Sequence, residues 1–429
     1  MKEKQRTYFC IDMKSFYASV ECAERGLNPF ETNLIVADAK RGKNAICLAI
    51  TPKMKEQGVK NRCRLSEIPK GIKYITALPR MKLYIEYSAD IYAIYLNYFS
   101  PMDIHVYSID EVFIDVTDYL KLYKMQAEEL AKLLMNDIAK KQKIPATTGI
   151  GTNLYLAKIA LDITAKKNKS HIGYLDEDKY IKTLWRHRPI TDFWQVAQGV
   201  AGRLAKLGIY DMEGVAKFPE DKLYKIFGVN AELLIDHAWG KEPCLMEDIK
   251  SYTTKSRSVS FSQILSKNYS FEQAKTVVCE MVLNGCRELM KRKVVARKVG
   301  VYVGYSFGSL KSTGKTITMS YATNIYSLIK EYALKIFEET TDRGGGIRKL
   351  AVNFSGVCNQ DCEGYDIFTD FEKVEKERAR ELAVLEMYSK YGKNSILRGT
   401  NFLEEATQIE RNGFIGGHRA GFNDKTTKS

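Results

Sequence analysis

Tyr8-Phe9-Cys10-Ile11-Asp12-Met13-Lys14-Ser15-Phe16-Tyr17-Ala18-Ser19-Val20-Glu21 is the stretch that decides how this chain reads. The apolar run Thr7–Ile11 predicts a buried strand, and it stops on an acid. A helix over Phe16–Arg25 is expected directly after it. A carboxylate at the end of a buried strand needs compensation by a cation or by hydrogen bonds, because an isolated buried charge is costly.

The second acidic stretch lies far downstream, Tyr107-Ser108-Ile109-Asp110-Glu111-Val112-Phe113-Ile114-Asp115. Two adjacent acids open an otherwise apolar strand. Alternation places Val112, Ile114 and Val116 on one face. On a regular strand residues 110 and 111 face opposite ways, but beside a turn both can approach one region. A pair of hard divalent cations would compensate such carboxylates, and two-metal sites of this kind drive in-line phosphoryl or nucleotidyl transfer. From the residues alone, salt-bridged turn acids are the favoured alternative.

Length and charge narrow the class. A chain of 429 residues predicts roughly two to four domains at ~100–200 residues each. There are 66 Lys and Arg against 52 Asp and Glu, a net charge of +14. That excess favours a polyanionic partner, since Lys and Arg release counterions from a phosphate backbone. The nine cysteines form no framework. Only Cys358 and Cys362 are close, as C-x3-C without a nearby His, so a zinc site is not expected and a reducing cytoplasm is. No signal peptide and no membrane span of ~20 apolar residues is expected.

Periodicity organises the rest. Strands are expected at Leu34–Ala37, Ala45–Ile50, Ile104–Ile109, Val112–Val116 and Thr147–Gly151. Helices are expected at Lys53–Gln57, Ala127–Lys141 and Leu154–Lys166. This order predicts an α+β layer with a carboxylate-bearing antiparallel sheet. Short helices fill 176–240, and Lys241–Tyr252 reads as a linker. A βαββαβ unit follows, from Ser256–Phe261, Phe271–Arg292, Val299–Tyr305, Thr316–Tyr321, Ile325–Glu338 and Ile347–Phe354. The tail from Gly356 reads as separate, with helices at Phe371–Lys390 and near Leu403–Gln408.

The block Asp12–Glu21, with Ser108-Ile109-Asp110-Glu111, closely resembles the Y-family of translesion DNA polymerases, in its UmuC-like branch (ImpB/MucB/SamB type). The resemblance runs from about Thr7 to Ser355. It implies a right-hand polymerase with a ferredoxin-like palm (1–25 and 76–175), small fingers (26–75), a helical thumb (176–240) and a little finger (253–355). Residues 356–429 would form a tail. It also implies low-fidelity synthesis past damaged bases, without proofreading, on primer–template DNA and deoxynucleoside triphosphates.

The resemblance carries roles residue by residue. Asp12, Asp110 and Glu111 would hold two Mg²⁺ ions, with the Met13 carbonyl completing the first. Tyr17 would be the sugar gate, its ring leaving no room for a 2′-hydroxyl. Phe16 would pack beside it at the nucleotide. Lys55 and Lys166 (or its neighbour Lys167) would meet the triphosphate. In the tail, Gly364-Tyr365-Asp366-Ile367-Phe368 resembles a sliding-clamp peptide anchored by Ile367 and Phe368. A UmuD-like partner also belongs to the branch.

Four places depart from the family pattern or mislead. Pro52 stands where the DinB branch has a stacking Tyr. The triphosphate segment ends Lys166-Lys167-Asn168-Lys169 rather than Lys-Pro-Asn-Gly. The thumb's Trp-Gly-x-Gly is replaced by Trp194-Gln195-Val196-Ala197, with Gly199 able to shift the turn by two residues and Phe227-Gly228 as a second hairpin signal. Ser309–Thr316 imitates a P-loop, but its spacing fails and a strand follows, so it reads as a basic hairpin. Two rival functions are a palm-type nucleotidyl cyclase, which needs no basic βαββαβ unit, and a non-catalytic DNA-bound relative, which needs no intact acids.

Overall fold

The computed structural model describes residues 6–254, 256–306 and 310–421. Two compact units divide the chain, with the break between Tyr252 and Thr253.

In the first unit, β1 (Tyr8–Met13) leads into α1 (Phe16–Ala23). Then come β2 (Leu34–Val36), β3 (Ala49–Ile50), α2 (Pro52–Glu56) and β4 (Ile75–Ala77). These strands make a small sheet with β2 in the middle, antiparallel to β3 and parallel to β4. The strand expected over Ala45–Ile50 is reduced to its last two residues, and Ile46 keeps only an isolated bridge to Arg64. Gly58 closes the turn after α2 with φ +83°, a conformation that glycine adopts without strain.

The chain continues through α3 (Met81–Leu96), β5 (Ile104–Val106), β6 (Glu111–Asp115), α4 (Thr117–Tyr123) and α5 (Ala127–Gln142). It then forms β7 (Ala146–Gly151), α6 (Leu154–Ile159) and β8 (Ile172–Leu175). The large sheet has the order β5-β6-β1-β7-β8. All neighbours are antiparallel except β7 and β8.

Strand alternation sorts the core. Phe9, Ile11 and Met13 join Val112, Ile114 and Val116 in the cluster that also holds Tyr84, Ile91 and Leu134. Tyr8, Cys10 and Phe113 point the other way, onto Leu154, Ala157 and Leu161. Helix α6 lies unusually close to that face. A Cβ on Gly149 would fall 2.1 Å from the Ala157 carbonyl oxygen, and one on Gly151 would fall 2.1 Å from the Ala157 nitrogen. Only glycine lets the two backbones meet here.

Five short helices follow: α7 (Glu177–Leu184), α8 (Gln198–Ala205), α9 (Met212–Ala216), α10 (Glu220–Phe227) and α11 (Asn230–Ala238). The turn after Trp194 does not shift to Gly199. Gln195 itself takes the left-handed conformation, at φ 68°, while Gly199 is an ordinary residue of α8. Gly228, at φ +60°, caps α10 as the Phe227-Gly228 signal anticipates. The segment expected to be a linker is packed. It contains α12 (Met246–Ser251), Met246 is buried beside Tyr8 and Cys10, and the Lys250 ammonium donates to the Ile104 carbonyl at 2.6 Å.

The second unit is a four-stranded antiparallel sheet with two helices on one face. Its elements are β9 (Ser258–Tyr269), α13 (Phe271–Lys291), β10 (Val294–Tyr305), β11 (Thr313–Thr323), α14 (Tyr326–Thr340) and β12 (Ile347–Asn359). The sheet order is β11-β10-β12-β9, so the βαββαβ expectation holds with longer strands. Val299, Val301, Val303, Val352 and Phe354 face the helices. The opposite face carries Ser260, Ser262, Lys298, Tyr302, Thr316 and Lys349. Of the P-loop look-alike, Gly308 and Ser309 lie outside the described residues, and Thr313–Thr316 already belongs to β11. The Gly344-Gly345-Gly346 loop is pinned, because Asp342 Oδ1 accepts from the amides of Gly344 and Gly345 at 2.8 and 3.0 Å.

The residues after Gly356 are not separate. As far as Ala420 they belong to the second compact unit, through α15 (Phe371–Tyr391) and α16 (Gln408–Arg411). Buried polar groups tie them down. Arg287 of α13 pairs with Glu381 at 2.7 Å, and Arg378 of α15 reaches Glu363 at 2.7 Å and Asn324 at 2.9 Å. Glu280 of α13 accepts from Asn401 Nδ2 at 2.8 Å and from the Thr407 amide at 2.9 Å.

Candidate active site

Antiparallel pairing sets Asp12 directly opposite Glu111, with Cys10 and Phe113 following on the same face. Asp110 belongs to the preceding turn, where the amides of Tyr107 and Ser108 both donate to the Glu111 carbonyl. The Met13 amide donates to the Asp110 carbonyl at 3.0 Å, locking the turn against β1. Ser108 Oγ donates to Asp110 Oδ1 at 2.7 Å and orients that carboxylate. The turn is how residues 110 and 111 escape strict alternation.

The electrostatics are those of a crowded acidic centre. The Asp12 carboxylate has no hydrogen-bond partner among the described residues. Its pKa is pushed up to about 7, first by burial, then by the negative charges of Asp110 and Glu111, against the pull of Lys166 and Lys158. Glu111 is held by Lys158 of α6, whose ammonium stands 2.7 Å from Oε1 and 2.8 Å from Oε2. Lys158 also reaches Asp162 at 3.2 Å. Burial alone would lower the Lys158 pKa, but Cys10, Asp162 and Glu111 hold it above the ordinary lysine value.

Oxygen-only carboxylate donors suit Mg²⁺, and a partnerless, like-charged Asp12 is a group that a hard cation would relieve. The residues therefore fit the ions in kind. In arrangement, no group of three or more His, Cys, Asp or Glu side chains among the described residues is gathered as a metal nest. The reason is physical. The Lys158 ammonium takes both Glu111 oxygens, so that carboxylate is turned to α6.

Around the acids lies a ring of cations. Lys55 is exposed, yet the protein mass around its ammonium holds its pKa low, with Asp12 pulling it up and Lys166 pushing it down. Lys166 bonds Asp162 at 3.0 Å, so it stands over the same end of the sheet. The motif does not mark Lys14 as a member of this ring. Its ammonium lies 3.1 Å from His171 Nδ1 and 5.5 Å from the centre of the Phe30 ring, and burial and then Lys55 lower its pKa. These charges share one neighbourhood, as the electrostatic influence of each on the next shows.

Tyr17 is half-buried and stacks on Tyr84 of α3, with centroids 4.6 Å apart and planes 19° apart. Burial and then the charge of Asp110 raise its pKa, so its hydroxyl lies within electrostatic reach of that acid. Phe16 is different. It is 2% exposed and packed into the main core, so its ring is not available to a nucleotide. An aromatic that opens a helix against a five-stranded sheet is pulled inward by the hydrophobic effect, whatever its neighbour does. Asp115, at the far end of β6, pairs with Arg6 at 2.9 Å and caps Thr117, a structural role. In the tail, Ile367 and Phe368 are 91% and 88% exposed, on a turn fixed by Asp366 Oδ1, which accepts from the Phe368 amide at 3.0 Å.

Residues 11–162 match the impB/mucB/samB family, and residues 256–366 match the impB/mucB/samB family C-terminal domain. The chain belongs to this family, the UmuC-like Y-family polymerases. UvrX of Bacillus subtilis (strain 168), named as a UV-damage repair protein, is 30% identical over 97% of this chain and 98% of its own. DNA polymerase IV 2 of the same organism is 30% identical over 97% of this chain and 99% of its own. Among solved structures, a Y-family DNA polymerase chimera of Dbh and Dpo4 superposes with a TM-score of 0.65 at 21% identity, covering 82% of this chain and 99% of that one. That likeness confirms the α+β Y-family fold. The family match also takes in the βαββαβ unit, at residues 256–366.

Proposed function

We propose that this chain is a DNA-directed DNA polymerase that copies past damaged template bases in the cytoplasm. The observation that carries the reading is the cross-strand pair Asp12 and Glu111 with Asp110 locked beside Met13, next to Tyr17 and a cationic rim. The UV-damage and polymerase names of the relatives support it.

In this reading the five-stranded sheet is the palm, 26–75 the fingers, 176–240 the thumb and the βαββαβ unit the little finger. Asp12, Asp110 and Glu111, with the Met13 carbonyl, would hold two Mg²⁺ ions. Those ions, when bound, lower the pKa of the primer 3′-hydroxyl and stabilise the pyrophosphate leaving group. Lys14, Lys55 and Lys166 neutralise the incoming triphosphate and orient it over the acids. The Tyr17 ring closes the space that a 2′-hydroxyl would need. The hydroxyl- and lysine-bearing face of the second sheet follows the DNA backbone, where Lys298 and Lys349 bind phosphates without reading sequence. Ile367 and Phe368 dock on a sliding clamp, because two large apolar side chains are left almost fully in solvent on a fixed turn. Synthesis in this reading is of low fidelity and without proofreading.

Primer extension on undamaged and UV-damaged templates, with and without Mg²⁺, tests this. Metal-dependent extension past the damaged base is expected. A protein that binds primed DNA but incorporates no nucleotide under any divalent cation would overturn it in favour of a non-catalytic relative.

A further inference from the structure

The row of the sheet that carries the acids has a third member. Asp12 on β1 stands opposite Glu111 on β6. On the other edge of β6, β5 pairs His105 with Phe113 and Val106 with Val112. One residue further the chain is opposite Glu111, at Tyr107, and the Tyr107 amide donates to the Glu111 carbonyl at 3.0 Å. Alternation returns Tyr107 to the face of His105, the face that Phe113 and Glu111 share. Lys158, the cation on both Glu111 oxygens, stands 6.0 Å from the centre of the Tyr107 ring.

Tyr107 is 46% exposed, yet its ring is braced. The Trp194 indole N–H donates to its hydroxyl at 3.1 Å. The two rings meet edge to face, with centres 5.8 Å and planes 81° apart, and Tyr107 meets Phe113 in the same way at 5.6 Å and 89°. Trp194 is packed in turn on Phe113 at 5.9 Å and on His237 of α11 at 6.1 Å. A large aromatic side chain held in one orientation, half in solvent, offers a fixed apolar surface to a ligand.

The two flanks of the acids differ. Past Asp12 the sheet runs on to β7 and β8, and on that side Lys14 reaches His171, just before β8. Past Glu111 stand the aromatics Tyr107 and Trp194. In-line displacement sets the leaving pyrophosphate and the attacking hydroxyl on opposite sides of the reacting phosphorus. A triphosphate held by the cations of one flank therefore leaves the other flank to the primer end. A deoxyribose has an apolar C–H face that suits an aromatic ring. On the reading of Asp12, Asp110 and Glu111 as the polymerase's acids, we infer that Tyr107, braced by Trp194, is a primer-binding residue. Its ring packs against the sugar of the primer's 3′-terminal nucleotide and holds the attacking hydroxyl beside Glu111.

The test is single-turnover extension by wild type, Tyr107→Leu, Tyr107→Phe, Trp194→Phe and the double Phe variant, from a paired primer end and from a mispaired one. At saturating deoxynucleoside triphosphate, Tyr107→Leu should slow the paired end about tenfold with the Kd for the triphosphate unchanged. The mispaired end, whose hydroxyl is already displaced, should slow by no more than about twofold. Tyr107→Phe and Trp194→Phe each remove one side of the same hydrogen bond, so each should slow the paired end about threefold, and the double variant should be no slower than either. A merely structural role would slow both primer ends alike, and that result overturns the inference. If Tyr107→Leu does not fold, Tyr107→Phe decides by the same comparison of the two ends. Wild-type rates in every folded Tyr107 variant overturn the primer contact and leave the polymerase standing. A wild-type protein that extends no primer overturns both.

Discussion

Lys158 Nζ stands 2.7 Å from Glu111 Oε1, so a protein ammonium occupies the oxygens that the proposed reaction needs for a metal. Removing one partner of such a pair leaves the other charge stranded. Lys158→Met should therefore destabilise the metal-free protein by about 3 kcal/mol. Magnesium should recover more of the loss than it adds to wild type, since Glu111 is then free for the ion. Thermal melts with and without Mg²⁺ measure this. An equal magnesium-induced rise in Tm for both proteins would refute the exchange.

Asp12 gives a pH signature. Its folded pKa of about 7 lies above the ordinary carboxylate value of 3.8. A raised pKa means that its stabilising contribution is complete below that ordinary value and is lost as pH climbs through the folded one. The metal-free protein should therefore weaken between those two values, by at most about 1.4 kcal/mol for each pH unit climbed. Asp12→Asn should flatten the window and raise Tm on its alkaline side without metal. A variant whose melting curve tracks wild type across the whole window would count against the crowded carboxylate.

Asp110→Asn should leave the fold intact, because the Met13 amide bonds to its backbone carbonyl and not to its side chain. Incorporation should fall by roughly a hundredfold or more. Binding to primed DNA should change little, since that affinity comes from spread basic residues. Filter binding and primer extension on the same preparation separate the two effects. Wild-type extension by this variant would remove Asp110 from the site.

The Ile367–Phe368 pair offers a clean surface experiment. Both side chains are almost wholly exposed, so replacing both with Ala should shift stability by no more than about 0.5 kcal/mol. Clamp-stimulated synthesis should disappear while synthesis without clamp persists. Equal stimulation before and after the change would place the clamp contact elsewhere.

Gln195 holds, at a cost, a conformation that glycine adopts freely. Gln195→Gly should be neutral or stabilising by up to about 1 kcal/mol, since relief of left-handed strain competes with unfolded-state entropy. Chemical denaturation reports it. A clear loss of stability would mean that the Gln side chain itself contributes to the turn.

Much of the fold is legible in the sequence because it depends on short range. The alternation of Val112, Ile114 and Val116 marks the buried face of β6, and the acids at 12, 110 and 111 mark the end of the sheet. The length of β9, β10 and β12 is harder to read, since exposed Ser, Lys and Asn at alternate positions disguise a strand whose other face is buried. The motif assigns Phe16 to the nucleotide because it does not say which of two adjacent aromatics turns inward. Lys158 sits inside a recognisable helix, yet only the close approach allowed by Gly149 and Gly151 brings it to Glu111. Tyr84 is far along the chain from Tyr17, and no local pattern links them. The tail reads as separate because its charges look solvated, whereas Arg378 and Glu381 are buried against partners made much earlier.

That last separation has a consequence on the ribosome. Arg287 and Glu381 are 94 residues apart. At ordinary synthesis rates of about 5–20 residues per second, Arg287 waits on the order of 5–20 s for its carboxylate. During that interval the nascent α13 carries an uncompensated guanidinium, and Glu280 lacks Asn401 and Thr407. The first unit can fold while it waits. The second lacks these partners until α15 and the loop after it have emerged, so a nascent chain stalled just after β12 would carry all four strands of the second sheet and still lack the groups that pair with Arg287 and Glu280.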